Sequence, residues 1–110
     1  MKHATSRRAD RAGDLIMREI ARLLAEEVAD PRLELVTVSG VRLNADFSVA
    51  LVLLTYSGGP ERHKQVHEAL DRARGFLRSR LGKALKMKKI PELRFQDDEF
   101  LEEMVYERRP

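Results

Sequence analysis

Residues 35–60 read LVTVSGVRLNADFSVALVLLTYSGGP, and the fold turns on this stretch. Leu35 to Leu43 alternates, so Leu35, Thr37, Ser39, Val41 and Leu43 are expected on one side of a strand. Phe47 to Tyr56 is apolar on both sides, which predicts a central strand covered on both faces. Asn44-Ala45-Asp46 is a short polar link, so the two strands should form an antiparallel hairpin. Ser57-Gly58-Gly59-Pro60 ends the second strand.

Upstream of the hairpin, Arg7 to Val28 has helical periodicity. Ser6 can cap the free N–H groups of its first turn. Ala12, Ile16, Ile20, Leu23 and Leu24 make one apolar stripe. Arg7, Arg11, Arg18 and Arg22 gather on the opposite face, interrupted by Asp14. Asp30-Pro31 stops the helix, because a residue before proline avoids the helical region.

Downstream, a second helical stretch begins at Pro60 or Glu61, with Val66, Leu70 and Ala73 on its apolar face. Gly75 falls inside it, and the apolar pattern resumes at Leu77, Leu81, Ala84 and Leu85. The expectation is a helix, a kink at Ala73-Arg74-Gly75, then a second helix to Lys86; one straight helix tolerating a glycine is the alternative. Leu93 and Phe95 predict a short third strand after Pro91. Phe100, Leu101, Met104 and Val105 recur at helical spacing in an acidic tail over 99–110. The order predicts one α+β domain over 1–98, a three-stranded sheet with its helices on one face.

Charge is segregated along the chain. From Arg72 to Arg94 there are nine Lys or Arg and one acid, Glu92; from Asp97 to Glu107 there are six acids and no base. The basic block comprises Arg72, Arg74, Arg78, Arg80, Lys83, Lys86, Lys88 and Lys89, besides Arg94. Such a block suits a polyanion, since each neutralised phosphate releases counterions. Arginine adds a planar fork of donors that matches phosphate. The bland reading is a solvated face that only keeps the helices soluble. Aromatic residues make up only 5% of the chain, with no Trp, which argues against a base-stacking platform.

Enzymatic chemistry has little footing. With no Cys, a thiol nucleophile, a disulfide and a thiolate zinc site are excluded. There is no phosphate-binding glycine loop, no G-x-S-x-G and no H-E-x-x-H. His63 and His67 stand four apart on one helical face and could grip a metal, but neither has an obvious third ligand, Glu68 and Asp71 being the nearby acids in sequence. Two exposed histidines are the plainer reading, so no metal or other cofactor is expected. A small metal-dependent hydrolase is the third-ranked alternative. No apolar run approaches a membrane span, and the N-terminus lacks the apolar segment of a signal peptide, so a soluble cytoplasmic protein is expected.

The chain resembles the ribosome-binding factor A family over roughly residues 6–98. The matching segments are Arg7-Arg8, Glu19-Ile20 with Leu23-Leu24, Asp30-Pro31-Arg32, and Val36-Thr37-Val38 with Val41. They continue through Asp46-Phe47, Ala50 and Val52, then Ala73-Arg74-Gly75 with Leu77-Arg78 and Leu81, then Pro91-Glu92-Leu93-Arg94-Phe95 before Asp97-Asp98. The resemblance implies a type II KH-like fold in which the GXXG clamp of RNA-binding KH domains, absent here, gives way to an interhelical kink at Ala73-Arg74-Gly75. It further implies a non-enzymatic factor that binds free small ribosomal subunits and their RNA. That factor would assist late maturation of the RNA near its 5′ end and matter at low temperature. A monomer with no membrane and no small-molecule substrate is expected. Asp98 is followed by Glu99 where the family often has Ser, which puts a tail-specific role in doubt. The alternative within the binding class is a general KH-type module for RNA or DNA with no ribosomal role.

Overall fold

The computed structural model describes residues 7–99. The expected Ser6 cap and the acidic tail helix beyond Glu99 lie outside the described residues. The element order is α1 (Arg7–Glu26), a 3₁₀ turn (Pro31–Leu33), β1 (Thr37–Leu43), β2 (Val49–Thr55), α2 (Pro60–Leu85) and β3 (Glu92–Asp97).

The sheet has the order β1-β2-β3. β1 pairs antiparallel with β2 through the predicted hairpin, and β3 pairs parallel to β2. A parallel neighbour needs a long crossover, and α2 is that crossover. Both helices pack on one face. Ile16, Ile20, Leu23 and Leu24 of α1 and Val66, Leu70, Leu77 and Leu81 of α2 form one core with Ala50, Val52, Leu54 and Leu93 of the sheet. Gly13 lets α1 approach β1 closely: a Cβ there would stand 2.9 Å from the carbonyl oxygen of Val41.

Four expectations are corrected. First, β1 does not keep one parity. Val38 pairs with Leu54 and Gly40 with Leu53, so Ser39 is an extra residue in a β-bulge. The bulge switches which side chains face inward. Val38 and Leu43 are buried with Val41 packed beside them, while Thr37 is exposed. Leu35 falls outside the strand altogether, with a φ of 60° and 90% exposure.

Second, β2 is central but covered on one face only. Ala50, Val52 and Leu54 are buried, whereas Val49, Leu51, Leu53 and Thr55 remain partly exposed among the described residues. Third, α1 ends at Glu26, short of Val28, because the N–H groups of Glu27 and Val28 both donate to the Leu23 carbonyl at 2.9 Å. A 3₁₀ turn follows, capped by Asp30, whose carboxylate accepts from the Arg32 N–H at 3.0 Å.

Fourth, α2 runs without a break. It is one helix of 26 residues that passes through Ala73-Arg74-Gly75, in place of the expected helix-kink-helix. The physical reason is phase. Val66, Leu70, Leu77 and Leu81 are buried with Ala73 packed beside them, and their spacings of three and four residues stay on one stripe. No realignment at Gly75 is needed to bring both halves to the core. Gly75 is exposed, and a Cβ there would meet nothing within 4 Å. α2 closes on Lys86, which adopts the left-handed conformation at φ 51°.

Candidate nucleic-acid interface

The basic residues divide into those used within the protein and those left over. Arg74 and Arg78 belong to the first group. Arg74 donates from Nε to the Leu93 carbonyl at 3.1 Å and from Nη2 to Asp71 at 2.9 Å, with its guanidinium 5.4 Å above the Phe95 ring. Arg78 donates from Nε to the Pro91 carbonyl at 3.1 Å and from Nη2 to the Ile90 carbonyl at 3.0 Å. Both guanidinium groups tie α2 to β3 and to the segment leading into it. Their spacing of four residues places them on the same side of α2, beside the apolar stripe.

Arg22 and Arg80 are also engaged. Arg22 lies 2.6 Å from Glu19, 3.1 Å from Glu26 and 2.9 Å from Glu27. These hydrogen bonds, with Glu19 foremost, push its pKa further up, and the Arg22 contact holds Glu19 below the usual carboxylate range. Arg80 approaches Glu27 at 3.7 Å and lies 5.2 Å above the Phe76 ring.

Arg7, Arg11, Arg18, Arg72, Lys83, Lys86, Lys88 and Lys89 are all exposed, and none forms an ion pair with another described residue. They are the cations with most charge to offer a polyanion. Two basic elements that are far apart in sequence also approach a common feature, the Asn44–Ser48 turn. The Arg8 guanidinium lies 5.4 Å above Phe47, and the Asp46 pKa is lowered chiefly by hydrogen bonds from Ser48, with the charge of Lys89 adding to them. The turn is braced internally. The Asn44 amide donates to the Ser48 hydroxyl at 2.8 Å and the Ser48 hydroxyl donates to Asp46 at 2.6 Å. The start of α1 and the loop after α2 therefore flank one rigid corner of the sheet.

Two further arginines lie outside the predicted binding set. Arg42 of β1 and Arg94 of β3 pair with Leu51 of β2 from either side, on the face away from the helices. Both are exposed, and Arg94 is 3.3 Å from Glu92. The strict alternation of β3, with Leu93 and Phe95 inward, was the available signal for Arg94. The alternation of Val41 and Leu43 about Arg42 was the signal for Arg42.

At the opposite end of β3, His63, His67, Asp97 and Tyr56 converge. His63 Nδ1 lies 2.7 Å from Asp97 Oδ2 and His67 Nε2 lies 2.9 Å from Asp97 Oδ1. The Tyr56 hydroxyl donates to the same carboxylate at 2.9 Å and 3.0 Å. Burial pushes the Asp97 pKa up, but hydrogen bonds from His67 and Tyr56 with the nearby histidine charges prevail and leave it lowered. The sequence offers the histidines no obvious third group, with Glu68 and Asp71 the nearby acids. The third group comes from β3, while Glu68 is exposed and Asp71 pairs with Arg74. A contact between residues 30 apart is invisible to helical spacing.

Two helices on one face of a β1-β2-β3 sheet, with the last strand parallel to the middle one, make this a KH-like α+β domain. The chain belongs to the ribosome-binding factor A family, whose model matches residues 8–108. A Nitrosomonas europaea protein named Ribosome-binding factor A is 41% identical over 95 residues, covering 86% of this chain and 81% of that protein. One from Pseudomonas paraeruginosa is 43% identical over 94 residues, covering 84% of this chain and 73% of that protein. The crystal structure of ribosome-binding factor A from Thermus thermophilus superposes with a TM-score of 0.72 at 30% identity, covering 81% of this chain and 94% of that one. A Thermus thermophilus ribosome-binding factor A model fitted into a cryo-EM map of a 30S complex gives a TM-score of 0.56 at 34% identity, covering 74% of this chain and 90% of that one.

Proposed function

We propose that this chain is a non-catalytic assembly factor that binds the free small ribosomal subunit through its ribosomal RNA. In this reading it assists late maturation of that RNA near its 5′ end, with most consequence at low temperature. The observation that carries the binding half is the set of exposed cations, on α1, the C-terminal half of α2 and the loop after it, that form no ion pair among the described residues. Family membership and the 30S complex of the Thermus thermophilus relative support the choice of the small subunit as partner.

The factor acts as a cytoplasmic monomer. Leu15, Leu35 and Phe76 are the large apolar side chains exposed among the described residues, and they lie on separate elements. Scattered apolar residues of this kind do not make an association patch. No described helix is long and apolar enough to cross a membrane.

Fractionation of a lysate on a sucrose gradient tests the reading. The protein should travel with free small subunits and be absent from translating ribosomes. Depletion should raise the fraction of small-subunit RNA with an unprocessed 5′ end, more so in the cold. Equal affinity for naked RNA and for small subunits would favour a general RNA-binding module instead.

A further inference from the structure

We propose that His63, His67 and Asp97 form a binding site for one divalent transition-metal ion of the zinc class. The three candidate ligand atoms lie within 4.8 Å of one another. A tetrahedral ion bound at about 2.0–2.1 Å requires ligand atoms roughly 3.3 Å apart. The two rings now contact different oxygens of Asp97, His63 at 2.7 Å from Oδ2 and His67 at 2.9 Å from Oδ1, so a turn of the carboxylate that offers one oxygen to both rings lets the three ligand atoms close on one ion.

The ligand set is chemically suited to such an ion. Imidazole nitrogen and carboxylate oxygen are ligands for zinc and its neighbours, and two histidines one helical turn apart form a chelating pair. α2 holds both rings, with centroids 4.5 Å apart, and β3 presents the carboxylate from a separate element. The Tyr56 hydroxyl, donating to Asp97, supplies the outer hydrogen bond that orients a ligating carboxylate. The side chain of His63 is 56% exposed, which gives an ion a path in. A cleft of about 460 Å³ lined by Tyr56, Gly58, His63, Asp97 and Asp98 leaves room for water as a fourth ligand. Bound there, the ion clips the end of β3 to the first turns of α2, at the far end of the strand from Lys88 and Lys89.

Isothermal titration of the full chain with Zn²⁺, free of any histidine tag, tests the proposal. One equivalent should bind, and Co²⁺ in its place should show the visible absorption of a tetrahedral centre. His63→Ala and His67→Ala should each weaken binding by more than the ~10-fold that loss of even an outer-shell partner causes. Should His67→Ala fail to fold, His63→Gln, on the more exposed ring, must show the same loss. Absence of saturable uptake by the wild-type chain overturns the proposal, leaving a hydrogen-bonded Tyr-His-Asp cluster. So does uptake unchanged in the folded histidine variants.

Discussion

The Arg78 guanidinium donates to the carbonyl oxygen of Pro91 at 3.1 Å, bracing α2 against the residue that leads into β3. A side chain whose sequence context marks it as a phosphate ligand is thus a strut of the fold. Arg78→Ala should destabilise the protein by about 1.5–3 kcal/mol, the range for hydrogen bonds made by charged groups. Lys88→Ala and Lys89→Ala, on exposed side chains without an ion pair among the described residues, should stay within about 0.5 kcal/mol of wild type. Urea denaturation of the three variants measures the contrast.

Gly13 and Gly75 both lie inside helices and should respond oppositely to alanine. Gly13→Ala places a methyl group against the Val41 carbonyl oxygen and should cost about 1–3 kcal/mol as α1 is pushed off the sheet. Gly75→Ala meets open space and should stabilise by about 0.5–1 kcal/mol. Denaturant midpoints decide both, and a destabilised Gly75→Ala would mean that α2 needs glycine geometry after all.

RNA affinity should divide according to which cations are unpaired among the described residues. Replacing Arg72, Lys83, Lys88 and Lys89 together by Ala should lower the salt slope of small-subunit binding by up to about 1 for each phosphate no longer neutralised. Replacing Arg7, Arg11 and Arg18 should have a smaller effect, because Asp14 shares their face. Arg22→Ala should hardly change the slope, since three glutamates already surround it. A filter-binding series across salt concentrations ranks the three variants, and an Arg22 variant with the largest fall in slope would reverse the order.

Acid should weaken the fold partly through Asp30. Hydrogen bonds from the Arg32 side chain and backbone hold its folded pKa below the ordinary value. The unfolded chain therefore takes up the proton first as pH falls. The stabilisation is complete above the unfolded pKa of about 3.9 and is lost as pH falls through the lower folded value. Asp30→Asn should lose stability at neutral pH and show a shallower decline below about pH 4. Urea midpoints measured across that range give the slope for each protein.

The helices and the hairpin could be read from the sequence because their signals are local. Ile16, Ile20 and Leu23 repeat within a turn or two of one another, and the Asn44-Ala45-Asp46 link lies between two apolar runs. The shared side of Val41 and Leu43 was legible, but the inward face of β1 before them was hidden, because a bulge at Ser39 adds one residue without any compositional mark. Gly75 was overread: a glycine on the exposed side of a helix looks the same in sequence as one at a bend. Within the candidate site, the cations themselves were visible as a charged block. That Arg74 and Arg78 point at main-chain carbonyls of the β3 segment was not, since carbonyl groups belong to every residue alike. Asp97 joined His63 and His67 only through the crossover topology.

The parallel pairing of β3 with β2 also bears on how the chain folds as it emerges from a translating ribosome. Synthesis proceeds from the N-terminus, so α1, the hairpin and α2 leave the exit tunnel before Leu93 does. Until then one edge of β2 has no neighbour, and Arg78 lacks the Pro91 and Ile90 carbonyls that it will grip. The last strand is therefore the closing step of a vectorial process: a nascent chain stalled with α2 outside the tunnel and Pro91 still within it should remain protease-sensitive along α2, and one carried on a C-terminal linker long enough to bring Asp97 outside should become resistant.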